Sequence, residues 1–488
     1  MAISMIVSIY TSRIVLDTLG VEDYGIYAIA GGFVASFSFI NNSMAGATSR
    51  FISYELGKGD IKKLNLTFNM AFYIHLCVTL VILFFAETVG LWFVNNQLVI
   101  PEERLFAANI VYQLSILSMM IGITQTPYMA CVLAHEKMDV YAYVELLNVF
   151  LKLGVVFLLM YVGYDKLILY ASLMFAVSLL SALIYRFYCI IRFRECHLKL
   201  VLDKKTLRPM LSYSGWDFYG HLSDMARNQG IEIVINIFFG PIVNAASNIA
   251  KVVQGSVNGF ASSITGATKP QIIKYYANGD YKQMVNLTYN ACKLNTFMLM
   301  LPTIPLLAEL HYVMSLWLVE IPEYAVTFCS FGLVFNLFGS MSSVLINGVQ
   351  ATGRLRTQSL INGTIYLLVI PLSVVLYRLG AEPWIAFLLN VVAIAFGMMS
   401  NALIYQSYIS DFRISEFIKK ALLPCFTIFV VGYGWSLLMQ CYLEECLIRL
   451  FCTIISSITI MLVLSYFLIL PYGIKVKIKS KLHFYIVS

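Results

Sequence analysis

Residues 46–60 read GATSRFISYELGKGD, and residues 266–280 repeat much of that pattern as GATKPQIIKYYANGD. The two stretches align without a gap at a constant offset of 220 residues, from 46 to 266. The same offset pairs Gly20 with Gly240 upstream. Scattered matches among common residues could arise by chance. A shared Gly-Ala-Thr and a shared Gly-Asp in one register are better evidence of common descent. The repeat therefore predicts two homologous halves.

The composition indicates the environment of the fold. The chain has 488 residues, of which 60% are apolar and only 12% charged, and its mean hydropathy is +0.79. Soluble domains carry about 25% charged residues, whereas a helix that crosses the roughly 30 Å hydrocarbon core of a bilayer needs about 20 apolar residues. Apolar segments of that length follow one another along almost the whole chain. We therefore predict an all-α polytopic membrane protein.

The apolar segments predict about 14 transmembrane helices, in two six-helix bundles and a final pair. In the first half we expect helices at 1–16, 24–57, 64–94, 104–134, 141–162 and 167–191. In the second half we expect helices at 212–239, 242–276, 284–308, 323–350, 358–378 and 384–408, followed by 420–440 and 447–471. The predicted domains are an N-terminal bundle (1–191), a polar cytoplasmic linker (192–211), a C-terminal bundle (212–410), and two peripheral helices with a basic tail (411–488).

The distribution of Lys and Arg predicts the orientation, because cytoplasmic turns carry an excess of these residues. Of the 33 Lys and Arg residues, 24 fall in the linker, the tail and the turns of one side, and four fall in the opposite turns. This asymmetry predicts that both termini are cytoplasmic. An even number of predicted spans separates matched positions of the repeat, so we expect parallel repeats. Some secondary transporters have this arrangement, with the binding site between the bundles near the midplane.

Several classes of protein find no support in the sequence. The ten cysteines include no C-x-x-C pair and no zinc-type spacing with histidine. Cys441 and Cys446 could pair outside the membrane, but isolated apolar thiols are the simpler interpretation. There is no GxxxxGK(S/T) phosphate loop, and the first 16 residues lack the basic leader and cleavage site of a secretory signal. We expect no cofactor, no metal, no nucleic-acid partner and no enzymatic activity.

Five basic residues fall inside predicted spans: Arg13, Lys152, Arg227, Lys251 and Lys293. Each would cost about 3 kcal/mol at the centre of a bilayer unless it faced water, a partner charge or an anionic ligand. Arg13 and Lys293 lie near span ends, where their side chains could also reach the interface. Lys152 follows Glu145 by two turns and could simply pair with it. We assign all five to the substrate-binding surface of a central cavity, above all Arg227 and Lys251.

The helix predicted at 212–239 carries a polar stripe with spacings of four, three, four and four: Asp217, His221, Asp224, Asn228 and Glu232. At 100° per residue these side chains share an arc of about 80°. Such a stripe is typical of the wall of a wet cavity; the alternative is a ladder of salt bridges, above all Asp224 with Arg227. We assign Asn228 to substrate binding. We assign Asp217, His221 and Asp224 to ion coupling, because an imidazole between carboxylates can titrate near neutral pH.

Short motifs along most of the chain resemble those of a known family. They are residues 10–16 (YTSRIVL), 19–27 (LGVEDYGIY), 41–44 (NNSM), 227–230 (RNQG), 239–246 (FGPIVNAA) and 270–274 (PQIIK). They resemble the Wzx-type flippases of polysaccharide repeat units, within the multidrug/oligosaccharidyl-lipid/polysaccharide exporter (MOP) superfamily. Members usually begin earlier with a basic leader, so the first span is expected to be incomplete. Members also often carry a basic residue after Asn-Ala-Ala, where this chain has Ser247, with Lys251 one turn later.

This resemblance implies two six-helix bundles around a central cavity, with two peripheral helices. It implies that the protein moves an undecaprenyl-pyrophosphate-linked oligosaccharide across the bacterial inner membrane by alternating access, for O-antigen, capsule or exopolysaccharide biosynthesis. The implied partners are membrane lipids, other polysaccharide-assembly proteins, and H⁺ or Na⁺ as a coupling ion. A pyrophosphate in a bilayer needs cations and a glycan needs hydrogen-bonding groups, and the embedded polar residues supply both.

Two other functions remain open. A cation-coupled multidrug exporter of the same superfamily would favour embedded carboxylates and an aromatic cavity, whereas this chain has a mixed, slightly basic set. A membrane polymerase or glycosyltransferase would need a long extracytoplasmic catalytic loop. The longest predicted outer loop, from Glu309 to Glu323, is short and has only His311 as a conventional catalytic side chain.

Overall fold

Every regular element of the described chain is a helix. The structure, a computed structural model, describes residues 11, 14–15, 17–20, 22–27, 34, 38–96, 100–161, 165–199, 201, 203–318 and 320–469. Most of the first predicted helix (1–16) and all of the basic tail with its four lysines lie outside the described residues. The chain divides into two compact units, Met1–Phe218 and Tyr219–Ser488.

The first unit is a helical bundle with α4 at its centre. Its described helices are α1 (Ser38–Lys58), α2 (Ile61–Phe85), α3 (Leu91–Asn96), α4 (Leu105–Ala134), α5 (Met138–Tyr161), α6 (Lys166–Arg192) and the first part of α7 (Lys204–Ala277). Helix α4 packs against α1, α2 and α6. Large side chains such as Phe68, Tyr128 and Tyr185 are buried between them.

The second unit is organised around α10. It contains the rest of α7, then α8 (Tyr281–Ala308), α9 (Leu310–Trp317), α10 (Ala325–Thr352), α11 (Arg356–Arg378), α12 (Ile385–Tyr408), α13 (Ile414–Phe417), α14 (Leu423–Tyr442) and α15 (Leu447–Leu468). Helix α10 packs closely against α8 and α12, and the C-terminal helices α14 and α15 pack against α8 and each other.

Helix α7 changes direction at Gly240. The residue has φ 80° and ψ −175°, a combination outside the helical region, and it separates two helices that run on without a loop. Only glycine adopts this conformation readily, because a Cβ would clash with the backbone. The predicted spans at 212–239 and 242–276 therefore meet at a kink, and Pro241 follows it.

The repeated Gly-Asp pair forms the same turn twice. Gly59 and Gly279 both lie in the left-handed region, with φ 73° and 76°. Asp60 Oδ1 accepts a hydrogen bond from Lys63 N, and Asp280 Oδ1 accepts one from Gln283 N, both at 3.1 Å. Glycine ends one helix and aspartate caps the next, which are the usual roles of these residues. The sequence repeat therefore corresponds to a repeated local structure.

Two segments that were predicted to be irregular contain helix. Helix α7 begins at Lys204, inside the predicted linker, because Asp203 caps it by accepting hydrogen bonds from the backbone N and the hydroxyl of Thr206. The predicted outer loop after Glu309 contains α9, whose Leu310 and Met314 lie one turn apart and are both buried. The linker contains a helix cap among its polar residues and the outer loop contains a short apolar face, and the average polarity of a segment indicates neither.

The chain is an all-α, multi-pass membrane protein. Eleven helical segments of the described chain are long and apolar enough to cross a membrane, and large apolar side chains such as Phe396, Phe426 and Phe451 are exposed on their surfaces. The predicted fourteen spans, parallel repeats and domain limits at 191, 211 and 410 stay predictions.

Candidate functional site

Arg227 is the most deeply buried of the predicted site residues in the second unit, with only 3% of its side chain exposed. Its Nη1 donates a hydrogen bond to Asn390 Oδ1 of α12 at 2.9 Å, and its Nη2 donates to Asp224 Oδ1 at 2.6 Å. The guanidinium carbon lies 5.0 Å from the ring centre of Phe335 and 4.8 Å from that of Tyr366. Three other helices, α10, α11 and α12, thus hold the guanidinium in place together with α7 itself.

The carboxylate partner of Arg227 is much more exposed. The side chain of Asp224 is 47% exposed, although it lies on the same helix one turn away. Its Oδ2 also accepts a weaker hydrogen bond from Asn228 Nδ2 at 3.3 Å. The predicted salt-bridge alternative is therefore formed for this pair, but its acidic partner keeps contact with solvent.

Lys251 lies in the second part of α7 and is partly buried. Its ammonium forms an ion pair with the carboxylate of Glu232 and lies 3.4 Å from the backbone oxygen of Asn228. The kink at Gly240 makes these contacts possible, because it turns the second part of α7 so that Lys251 meets residues of the first part. The two cations thus have two carboxylate partners, and the four side chains together carry no net charge.

Arg227 and Lys251 line one small cavity of the second unit. Its volume is about 40 Å³, which is room for a few water molecules. The lining residues are Arg227, Asn228, Ile231, Ser247, Lys251, Gln254, Phe331, Gly332, Phe335, Phe387 and Asn390. Arg227 Nε and Ser247 Oγ are buried, and neither has a hydrogen-bond partner among the described residues. Buried polar groups normally find partners, so these two atoms favour water or a polar ligand in the cavity.

The other predicted cations do not line this cavity. Lys152 is exposed on α5 of the first unit. Lys293 is partly buried on α8, and its ammonium donates to the backbone oxygen of Ile469 at 3.2 Å, at the end of α15. Arg13 lies outside the described residues. Their assignment to substrate binding stays a prediction.

The predicted coupling residues occupy different surroundings. Asp217 is buried in the first unit, whereas His221 is exposed and belongs to the second unit. Asp224 pairs with Arg227, as described above. The division of the two units falls within the predicted polar stripe, after Phe218.

Sequence reasoning did not find the residues that position Arg227 from other helices. Asn390 carried a weak signal, as one of three amides in an apolar span. Phe335 and Tyr366 carried none, because aromatic residues are common throughout this chain. Glu232 was recognised as part of the stripe but not as the partner of Lys251, since that pairing depends on the kink.

Comparison with known proteins identifies the family to which the sequence is similar. The sequence model of the family described as "Polysaccharide biosynthesis protein" matches residues 1–276. A relative from Bacillus subtilis (strain 168), "Uncharacterized membrane protein EpsK", is 21% identical over 328 residues, which are 65% of this chain and 63% of that protein. The chain thus aligns with less than two thirds of the length of that relative.

Solved transporter structures share the fold. A structure described as "MATE in the bent conformation" has a TM-score of 0.70 and 13% identity, and the match covers 85% of this chain and 94% of that one. A MOP superfamily transporter from Pyrococcus furiosus, described as having a binding pocket of reverse polarity, has a TM-score of 0.66 and 14% identity, covering 84% and 93%. At such identities the likeness concerns the fold alone. The sequence model of the polysaccharide biosynthesis proteins, in contrast, matches more than half of the residues of this chain. The chain therefore belongs to the polysaccharide biosynthesis protein family.

Proposed function

We propose that the protein is a flippase that moves an undecaprenyl-pyrophosphate-linked oligosaccharide across the bacterial inner membrane for surface-polysaccharide biosynthesis. One observation carries the proposal: the buried guanidinium of Arg227 lines a cavity in a membrane-spanning bundle and keeps Nε without a partner among the described residues. The family and the transporter fold support it.

The chemistry of the cavity fits a lipid pyrophosphate. A guanidinium binds phosphate oxygens through two parallel hydrogen bonds, and an ammonium adds a second point of positive charge. Arg227 and Lys251 supply one of each. Asp224 and Glu232 neutralise them in the conformation described, which offsets the cost of cations in a low-dielectric bundle. The phosphate would take the place of Asp224, whose side chain already contacts solvent.

Transport then requires a change of conformation. A cavity of about 40 Å³ admits water but no sugar or pyrophosphate, so the substrate-binding conformation must be more open. We propose alternating access, in which the two bundles rock and expose the cations first to the cytoplasm and then to the outside. Asp217, His221 and Asp224 couple this change to H⁺ or Na⁺. Both termini are cytoplasmic in this account.

A cation-coupled multidrug exporter is the second candidate. The observation that favours it is a partly exposed carboxylate, Asp224, whose partner Arg227 contacts the rings of Phe335 and Tyr366, because organic cations bind carboxylates and aromatic faces. Arg227 itself disfavours it, since a buried guanidinium repels a cationic drug.

Reconstitution in vesicles distinguishes the two functions. We expect the purified full-length protein to move a fluorescent lipid-linked oligosaccharide between leaflets, measured as loss of access to an impermeant quencher. A lipophilic cation should not be transported in the same vesicles. Transport of the cation with no movement of the oligosaccharide would establish the exporter instead.

In vesicles with an imposed proton gradient, His221→Gln should move the substrate without responding to the gradient, and an unchanged response would remove His221 from coupling.

A further inference from the structure

One face of α10 is polar but uncharged over most of its length. Its six residues follow spacings of four, three, four, four and three: Gly332, Asn336, Gly339, Ser343, Asn347 and Gln350. They share an arc of about 80° and extend over about 27 Å of the helix. We call these six residues the neutral face. The whole of α10 contains no charged residue.

The neutral face begins at the cavity that holds Arg227. Gly332 lines that cavity together with Gln254 of α7. A Cβ added to Gly332 would lie 3.5 Å from Gln254 Oε1, and Asn336 Nδ2 donates to the backbone oxygen of Gln254 at 2.8 Å. The neutral face therefore continues the cavity wall along α10, away from the cations.

The other end of the neutral face carries two buried amides, each with one atom that has no hydrogen-bond partner in the described structure. Asn347 and Gln350 are only 5% and 8% exposed. Asn347 Nδ2 and Gln350 Oε1 have no hydrogen-bond partner within the described part of the chain. Leaving such atoms unpaired is unfavourable, and it is rare in native proteins without a functional reason. Two of them on one helical face indicate that a polar ligand satisfies them in another conformation.

The middle of the neutral face has free space beside it. A Cβ built on Gly339 meets no atom within 4 Å, although the residue is partly buried. A glycine in the middle of a helix lowers helix stability, and no close packing requires one here. The missing side chain instead leaves room along the helix between the cavity and the two amides.

We propose that the neutral face binds the uncharged glycan of the lipid-linked oligosaccharide while the pyrophosphate lies at the Arg227 end. This inference rests on the proposed function. Sugar hydroxyl groups donate and accept hydrogen bonds, and carboxamides do the same. A helix without cations offers no partner for an acidic sugar, so the substrate class is a glycan of neutral hexose and N-acetylhexosamine residues. Because Asn347 and Gln350 are covered in the conformation described, the glycan reaches them only after that end of α10 opens.

Binding to two lipid probes tests the inference. The probes are undecaprenyl pyrophosphate alone and the same lipid carrying a neutral tetrasaccharide, added to the full-length protein in lipid nanodiscs. We expect the double variant Asn347→Leu/Gln350→Met to bind the tetrasaccharide probe about tenfold more weakly, as expected for two lost neutral hydrogen bonds, and to bind the bare lipid as the wild type does. An equal loss for both probes, or no loss, would overturn the glycan assignment alone. A wild-type protein that binds neither probe would overturn the proposed function as well.

Leucine substitutions at two glycines give a matched pair. Gly434 lies in α14, outside the neutral face, and a Cβ built on it also meets no atom within 4 Å, so Gly434→Leu should bind both probes like the wild type. Gly339→Leu fills the space and should weaken binding of the tetrasaccharide probe alone. Thermal unfolding verifies that both variants are folded. Wild-type binding of the tetrasaccharide by folded Gly339→Leu would show that the glycan does not lie along this face.

Discussion

Asp224 and Arg227 form an ion pair in which the two side chains have opposite surroundings. Asp224 Oδ1 lies 2.6 Å from Arg227 Nη2, but the aspartate side chain is 47% exposed and the arginine side chain 3% exposed. The cation is fixed by Asn390 and by two aromatic rings, whereas its counter-ion can turn towards solvent. An anionic ligand therefore competes with a solvated carboxylate for a guanidinium that is already in position.

This competition predicts the effect of Asp224→Asn. Removal of the carboxylate charge should raise the affinity for undecaprenyl pyrophosphate about threefold, because partly exposed ion pairs contribute up to about 1 kcal/mol. The measurement is binding of the bare lipid to the protein in nanodiscs. Asp411→Asn, an exposed carboxylate elsewhere in the same unit, is the control and should have no effect. Weaker binding by Asp224→Asn would show that the carboxylate itself takes part in binding.

The surroundings of Arg227 predict that lysine cannot replace it. An ammonium cannot reproduce the planar contacts with Phe335 and Tyr366 or donate to Asn390 and Asp224 in the same geometry. We expect Arg227→Lys to lower the free energy of unfolding by about 2 kcal/mol, seen as a lower Tm. Tyr366→Phe keeps the ring and should change the Tm little. Equal stability of Arg227→Lys and wild type would show that charge alone is required here.

A buried ion pair connects α15 to the end of α8 within the second unit. Glu309, at the end of α8, is fully buried, and its Oε2 accepts hydrogen bonds from Arg449 Nη2 at 2.7 Å and Nε at 3.2 Å. Arg449→Ala leaves this carboxylate buried without its cation, so we expect a loss of about 3 kcal/mol in the free energy of unfolding. Protease cleavage between α14 and α15 should become faster.

The same arginine provides the control for that prediction. Glu445 is its exposed second partner, at 3.4 Å, and exposed pairs contribute little to stability. Glu445→Ala should therefore leave unfolding and proteolysis almost unchanged. Equal effects of the two substitutions would contradict the assignment of Glu309 as the residue that holds α15 in place.

A pH-dependent contact lies in the segment that precedes α7. Burial acts to raise the pKa of Glu195, but the hydrogen bond with His135, a backbone hydrogen bond and the charge of His135 together more than offset this and hold the pKa below its ordinary value of 4.5. A lowered folded-state pKa stabilises the protein above the unfolded-state value, and this stabilisation is lost as the pH falls through the folded-state value. We therefore expect Glu195→Gln to remove part of the loss of stability between about pH 5 and about pH 3.

Thermal unfolding across that pH range checks the prediction. Glu103→Gln, at an exposed position of the same unit, should retain the pH dependence of the wild type. Identical pH profiles for Glu195→Gln and wild type would mean that the His135–Glu195 contact does not stabilise the folded protein.

The relation between sequence and structure differs for contacts within a helix and contacts between helices. Hydropathy predicted α4 and α12 to within a residue at each end, and the Asp224–Arg227 pair follows from their spacing of three on one helix. The caps at Asp60 and Asp280 could likewise be predicted from a local pattern. All of these depend on residues close together in the chain.

Contacts between helices could not be predicted in this way. Asn390 reaches Arg227 from a distant helix, and Lys251 meets Glu232 only because α7 bends at Gly240. Hydrophobic periodicity gives the face of one helix but not the neighbour that covers it. Charge does not reveal the neutral face of α10 in the sequence, because none of its six residues is charged.

The central claim is that Arg227 and Lys251 bind the pyrophosphate during translocation. Its most direct test is the rate at which a fluorescent lipid-linked oligosaccharide changes leaflets in vesicles that contain equal amounts of wild type, Arg227→Ala, Lys251→Ala, the double variant and the exposed-site control Lys420→Ala. We predict that each single substitution at the cavity lowers the rate at least about tenfold, a barrier increase of about 1.4 kcal/mol, that the double variant shows no translocation, and that the control matches the wild type. Translocation at the wild-type rate by a folded double variant would contradict the account.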